Sequence, residues 1–298
     1  MAAGSQRIYR QRIRSTETLK KMFRAMELIA ASRIAKARAA AERAFPYAAA
    51  ITRAVSAVAT HSDVEHELLT ERDDTNRVAI LVITADRGMA GAYSAMVLRE
   101  AERLRDQLRG EGKGPVLYVT GRRGVGFYNF RGVPIEHSWT GDSDNPKAET
   151  AREIAETLVG AFNAPIDMGG VAELHVVYTR FRTMVSQEPA VVRMLPLEVV
   201  EGVAPVGEDP LPLYEFEPSP DGVLDALLPR YIESRIFNSL LQASASELAA
   251  RQRAMHTATE NAEDLINNYT RLANQARQAE ITQEISEIVS GADSLAAS

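Results

Sequence analysis

The sequence predicts an α+α/β fold: a long antiparallel coiled coil made of the two chain ends, and a central α/β domain with a mainly parallel sheet. Glycine and proline are concentrated in the middle of the 298 residues. All thirteen prolines fall between Pro46 and Pro229, and sixteen of the eighteen glycines between Gly88 and Gly222. Residues 5–45 and 230–290 contain neither, and a helix interior is where both are most costly, about 1 kcal/mol for Gly and about 3 kcal/mol for Pro relative to Ala. The C-terminal segment also carries a sustained heptad-like repeat. The middle alternates β-branched apolar runs with helix-like stretches.

The first segment, residues 1–60, reads as one helix. Leu19, Met22, Met26 and Ile29 step by 3, 4 and 3 and form its expected apolar stripe. The last segment, residues 215–298, reads as a second helix that packs with the first. Its positions Leu241, Ala245, Leu248, Gln252, Met255, Thr259, Ala262, Ile266, Tyr269, Ala273 and Ala276 alternate steps of 4 and 3. From 230 to 290 alone such a helix would reach about 90 Å, far longer than a compact domain needs. A single chain with such helices at both ends most simply folds them together, although a homodimeric coiled coil fits the same pattern. Pro229 is expected to kink or delay the second helix, and Gly291 to end it as a C-cap.

The central domain is assigned to residues 77–200 and reads as Rossmann-like. Arg77–Thr84 is a continuous apolar run typical of a buried parallel strand. A helix is expected over Ala92–Arg109, a strand over Pro115–Thr120 and a short helix over Arg122–Phe130. After Pro134 comes a loop holding Trp139, Gly141 and Pro146. A helix over Lys147–Phe162 and strands over Glu173–Thr179 and Val191–Val200 complete the layer. Asn163–Ala172, with Pro165, Gly169 and Gly170, is expected to be an exposed mobile loop. Residues 201–220 connect into the second long helix.

The net charge of −6 hides a segregation: +8 over residues 1–45, −11 over 46–229 and −3 over 230–298. A basic helix of this kind meets an acidic partner. There is no cysteine, which excludes thiol catalysis, disulfides and cysteine-based zinc sites. No run of apolar residues is long enough to span a membrane, and the N-terminus lacks a secretory core, so the chain reads as intracellular. Asp86-Arg87-Gly88-Met89-Ala90-Gly91 lacks the third glycine of a dinucleotide fingerprint, and no Gly-Lys-Ser/Thr of a P-loop is present. Arg122 and Arg123 in the next glycine turn could bind an anion, though a turn before a helix is the commoner use. The five histidines are scattered, and no carboxylate sits with a partner in an apolar run. The reading is therefore not an enzyme, with no catalytic residue, cofactor, metal or nucleic-acid site.

Arg24–Ile34 (RAMELIAASRI), Thr84–Tyr93 (TADRGMAGAY) and Gln275–Ala292 (QARQAEITQEISEIVSGA) resemble the three signature stretches of the gamma subunits of F-type ATP synthases. The resemblance covers essentially the whole chain and includes Leu227–Arg235 (LLPRYIESR). It implies a central rotor shaft whose terminal helices turn inside the alpha/beta hexamer. Such a shaft couples ion flow through a membrane ring to ATP synthesis or hydrolysis on the beta subunits. The implied partners are alpha, beta, the epsilon subunit and the membrane c-ring, and the implied location is the cytoplasmic face of a bacterial plasma membrane, peripherally bound. Asn163–Ala172 is similar to the extension of the actinobacterial branch.

Residue roles follow the resemblance position by position. Met26, Arg251, Gln278 and Thr282 match residues at contacts with beta, and Glu284 and Glu287 continue that surface. Tyr214 matches a tyrosine in the foot near the membrane ring. From their own spacing, Ile281, Ile285 and Ile288 form one apolar stripe at the C-terminal end, assigned as an upper bearing. The competing reading is a nucleotide-dependent α/β enzyme with coiled-coil dimerisation arms.

Overall fold

The computed structural model describes residues 2–61, 68–197, 217 and 219–296. The element order is α1 (Ala2–His61), β1 (Arg77–Ile83), α2 (Tyr93–Gly110), β2 (Gly114–Thr120), α3 (Arg122–Phe130), β3 (His137–Trp139), α4 (Ala148–Asn163), β4 (Glu173–Phe181), β5 (Gln187–Leu195) and α5 (Pro220–Ala296). Both long helices fill their expected spans and run past the glycine- and proline-free stretches 5–45 and 230–290. Pro46 lies inside α1, and Pro229 lies inside α5 rather than delaying it. Leu228 and Ile232, on either side of the missing N–H, are fully buried, and that packing holds the turn helical despite the local cost. Gly291 does not end α5, which continues to Ala296.

The chain forms two compact units, and both long helices are shared between them: residues 1–30 with 252–298, and residues 31–251. In the first, α1 and α5 run antiparallel. Tyr9 stacks near Tyr269 with ring centroids 6.4 Å apart, Lys20 pairs with Glu263 at 2.9 Å, and Glu27 meets His256 at 3.1 Å. The α5 seam is the expected one, with Met255, Ala262 and Ala273 buried and Thr259, Ile266, Tyr269 and Ala276 half-buried. The α1 seam is not. It runs through Ile13, Thr16, Lys20, Phe23, Glu27 and Ala30, while Leu19, Met22 and Ile29 are exposed.

The second unit is a three-layer sandwich. Its five strands lie in the order β3-β2-β1-β4-β5, all parallel except the β4–β5 hairpin. The side chains of β1 alternate between the two faces. Val78, Ile80 and Val82 pack towards α2 and α3, and Ala79, Leu81 and Ile83 towards α4, the end of α1 and the start of α5. Leu224, Leu228, Ile232, Ile236 and Leu240 form the stripe by which α5 joins that second layer. Each such side chain contributes about 1.5–3 kcal/mol on burial, which is why this half of α5 belongs with the sheet.

Three local expectations need correction. The loop after Pro134 contains a short edge strand, β3, and β5 begins at Gln187, four residues early. Asn163–Ala172 is not simply a mobile loop. Its first half is exposed and turns through a single 3-10 turn at Ile166–Met168. Its second half is core: Gly170, Val171 and Ala172 are buried, and the Val171 N–H donates to Ala161 O at 3.0 Å.

Candidate functional site

In a parallel sheet of this kind, ligands bind in the crevice beyond the carboxyl ends of the strands. Here that position is filled by the chain's own groups. The turn after β1 sends Asp86 towards the N-terminus of α3, where its Oδ1 accepts from the Arg122 N–H at 3.1 Å. Its Oδ2 accepts from the N–H groups of Gly141 (2.8 Å) and Ser143 (3.0 Å). The Asp86 carboxylate thus takes the place an external anion would occupy at that helix end. Thr84 stitches the same region, donating to Thr120 O at 2.7 Å and accepting from the Gly124 N–H at 2.9 Å. The turn itself is tight, with Met89 and Gly91 both left-handed (φ 59° and 57°).

Above this turn lies α5. Arg251, expected as a direct contact with a partner, is drawn inward and is 7% exposed. Its Nη2 donates to Glu247 Oε1 at 2.6 Å and reaches Arg87 O and Gly88 O at 3.3 and 3.4 Å. A large polar groove of about 900 Å³ opens beside it, lined by Arg33, Trp139, Asp144 and Glu153 among others. Arg33 pairs with Asp144, and the Trp139 indole N–H donates to Glu153 at 3.1 Å. These contacts bind the 139–147 loop to α1 and α4.

The other expected site residues lie in the first unit. Met26 is half-buried, next to Glu27. Glu27 is buried between two partners, accepting from Arg24 at 2.9 Å and facing the His256 ring at 3.1 Å. Gln278 and Thr282 are exposed, and the Thr282 hydroxyl donates to Gln278 O at 2.9 Å. They share one face of α5. Glu287, also exposed, lies about half a turn round the helix from Gln278, so the two glutamates do not extend that face. Glu287 instead accepts from Gln283 at 2.9 Å. Ile281, Ile285 and Ile288 are exposed, at 44%, 56% and 71%. Tyr214 lies outside the described residues. Among the described residues, no group of three or more His, Asp or Glu side chains could hold a metal ion, and no helix is long and apolar enough to cross a membrane.

A family model described as ATP synthase matches residues 5–295. The ATP synthase gamma chain of Beutenbergia cavernae is 75% identical over 296 residues, covering 99% of this chain and all of that one. The gamma chain of an Arthrobacter species is 60% identical over 292 residues, 98% of each chain. The chain belongs to the ATP synthase gamma-chain family. A chain of the Euglena gracilis mitochondrial ATP synthase rotor shares the fold at TM-score 0.63 and 14% identity, over 94% of this chain and 99% of that one. A second Euglena structure, comprising OSCP, F1 and the c-ring, contains a match at TM-score 0.65 and 18% identity. Sequence reasoning missed two features of this gamma-family chain. One is Glu247, a lone acid within a heptad run. The other is the α1 seam through Ile13, Thr16, Lys20, Phe23, Glu27 and Ala30, in place of which periodicity selected Leu19, Met22 and Ile29.

Proposed function

We propose that this chain is the central rotor shaft of an F-type ATP synthase and is itself non-catalytic. It turns within an alpha/beta hexamer and couples ion flow through a membrane ring to ATP synthesis or hydrolysis on beta. One observation carries this reading at the level of geometry. In a gamma-family chain, the paired segments of α1 and α5 satisfy each other through a narrow seam and leave a separate apolar surface outward, with Leu19, Met22 and Ile29 on α1 and Ile281, Ile285 and Ile288 on α5. Exposed apolar rows of this kind are costly unless a partner covers them.

The hexamer is the cover, with Met26, Gln278 and Thr282 beside those rows as contacts to beta. Ile281, Ile285 and Ile288 form the upper bearing. The +8 charge of residues 1–45 faces acidic segments of beta. Epsilon and the c-ring attach at the foot, with Tyr214 near the ring, on the cytoplasmic face of a bacterial plasma membrane. The test is co-expression with alpha and beta, followed by purification and an ATPase assay. A stable complex whose ATPase activity depends on this chain is the expected result, and failure to form one sinks the reading.

A further inference from the structure

We propose that Glu247 is a positioning residue, holding Arg251 as a clamp that locks α5 onto the turn after β1. The inference rests on the rotor reading, because it concerns how firmly α5 is held in the α/β unit while it carries torque. Glu247 and Arg251 are four residues apart on the same helix, so their ion pair alone joins nothing to anything. The link between elements is made by the guanidinium, whose Nη2 reaches the carbonyls of Arg87 and Gly88. All three contacts converge on Nη2, whose two hydrogens are directed to the carboxylate and shared between the two carbonyls, so the group works only in one orientation. Glu247 sets that orientation and balances a charge that is otherwise buried without compensation.

The surroundings point the same way. Glu247 is 1% exposed, and its second oxygen, Oε2, has no hydrogen-bond partner within ordinary geometry. Tyr93, whose phenol is pushed well up by burial and by the Glu247 charge, packs in the same region. Burial, with a smaller push from the Asp144 charge, raises the Glu247 carboxyl above its ordinary range, and Arg251 and the Ser143 hydroxyl recover only part of the shift. A buried ion pair of this kind adds little net stability compared with an apolar replacement. Its remaining use is geometric: one step of sliding along α5 moves the guanidinium by about 1.5 Å and breaks both carbonyl contacts. Tyr93, Ala85 and Ala90 pack with Ala250 beneath it, so the turn that Arg251 grips is itself seated on the sheet.

The test uses the assembled ATP synthase in membrane vesicles, comparing Glu247→Gln, Glu247→Ala, Arg251→Lys and the charge swap Glu247→Arg with Arg251→Glu. ATP hydrolysis and ATP-driven ion pumping are measured on the same vesicles. The expected result is that Glu247→Ala and Arg251→Lys assemble and hydrolyse ATP, while ions pumped per ATP fall about threefold or more. Glu247→Gln, which keeps an acceptor of the same shape, restores part of the loss. The charge swap does not rescue, because a carboxylate at 251 faces two carbonyl oxygens. Pumping per ATP at the parental level in Glu247→Ala overturns the clamp, as does full rescue by the swap. Should Glu247→Ala fail to assemble, the isosteric Glu247→Gln decides the matter: parental pumping overturns the clamp, and an intermediate loss supports it. These outcomes are distinct from failure of the rotor reading, which shows as failure of the unmutated chain to assemble with alpha and beta.

Discussion

Glu173 shows how a single side chain couples the start of an inner strand, β4, to pH. Burial pushes its carboxyl up, but hydrogen bonds from Lys113 (2.7 Å) and His175 (2.8 Å) outweigh that and hold it below its ordinary range. A depressed folded value means stability that is present above the unfolded carboxyl's range and lost as pH falls through the folded one. Glu173→Gln should therefore lower the Tm of the full chain at neutral pH, and the gap from the parent should close as the solution is acidified. Thermal melts across pH check this; a gap that stays constant down the acid limb counts against it. Gly121 is a second residue-scale case. It adopts φ 89°, and a Cβ there would lie 2.2 Å from Thr84 O. Gly121→Ala should destabilise by more than the 1–3 kcal/mol or so that the backbone region alone costs. A urea midpoint close to the parental value would mean that the turns after β1 and β2 can shift to make room.

Among the elements, the 163–172 connection divides into two parts with opposite tolerances. The exposed turn at Ile166–Met168 makes its own hydrogen bonds, whereas Val171 belongs to the core beneath α4. Val171→Ala should cost about 1–3 kcal/mol, while polar substitution of Met168 should be near neutral; denaturant unfolding of both variants measures the contrast. The end of α5 behaves differently. Every residue from Ile281 to Ser290 is exposed, so these turns are held by helix propensity and by whatever covers them. Deleting Gly291–Ser298 should be tolerated. Ile285→Asp should weaken assembly or rotation, because a carboxylate loses hydration inside an apolar collar. Normal ATP turnover and rotation by the Ile285→Asp complex would remove this stripe from the bearing.

For the whole molecule, function is a matter of contact with partners, and Met26 probes it. Replacing it with Lys adds a cation beside the surface that meets the acidic lever of beta in the rotor reading. An extra ion pair at a sliding contact is worth up to about 1 kcal/mol if exposed and more if partly buried. Met26→Lys should leave assembly intact and reduce ions pumped per ATP. Unchanged pumping in vesicles would deny this residue a coupling role.

The sequence by itself determined the two long helices, the parallel sheet, the bounds of α3 to the residue, and the α5 seam. All of these follow from local rules: where glycine and proline are too costly, and which period the apolar residues keep. It also carried the three signature stretches by which the family was legible. Tertiary structure alone decided which stripe of α1 pairs with α5. Leu19, Met22 and Ile29 make the more apolar stripe, so periodicity selects them. The seam instead takes Lys20, Glu27 and the small Ala30: Lys20 pairs with Glu263 and Glu27 meets the His256 ring across the pair. Pairing depends on the partner's residues, and one helix's sequence does not contain them. The same holds for Arg251. Helix spacing placed it correctly on α5, but only packing against the turn after β1 turned its guanidinium inward, since a buried cation goes where a carboxylate and free carbonyls compensate it.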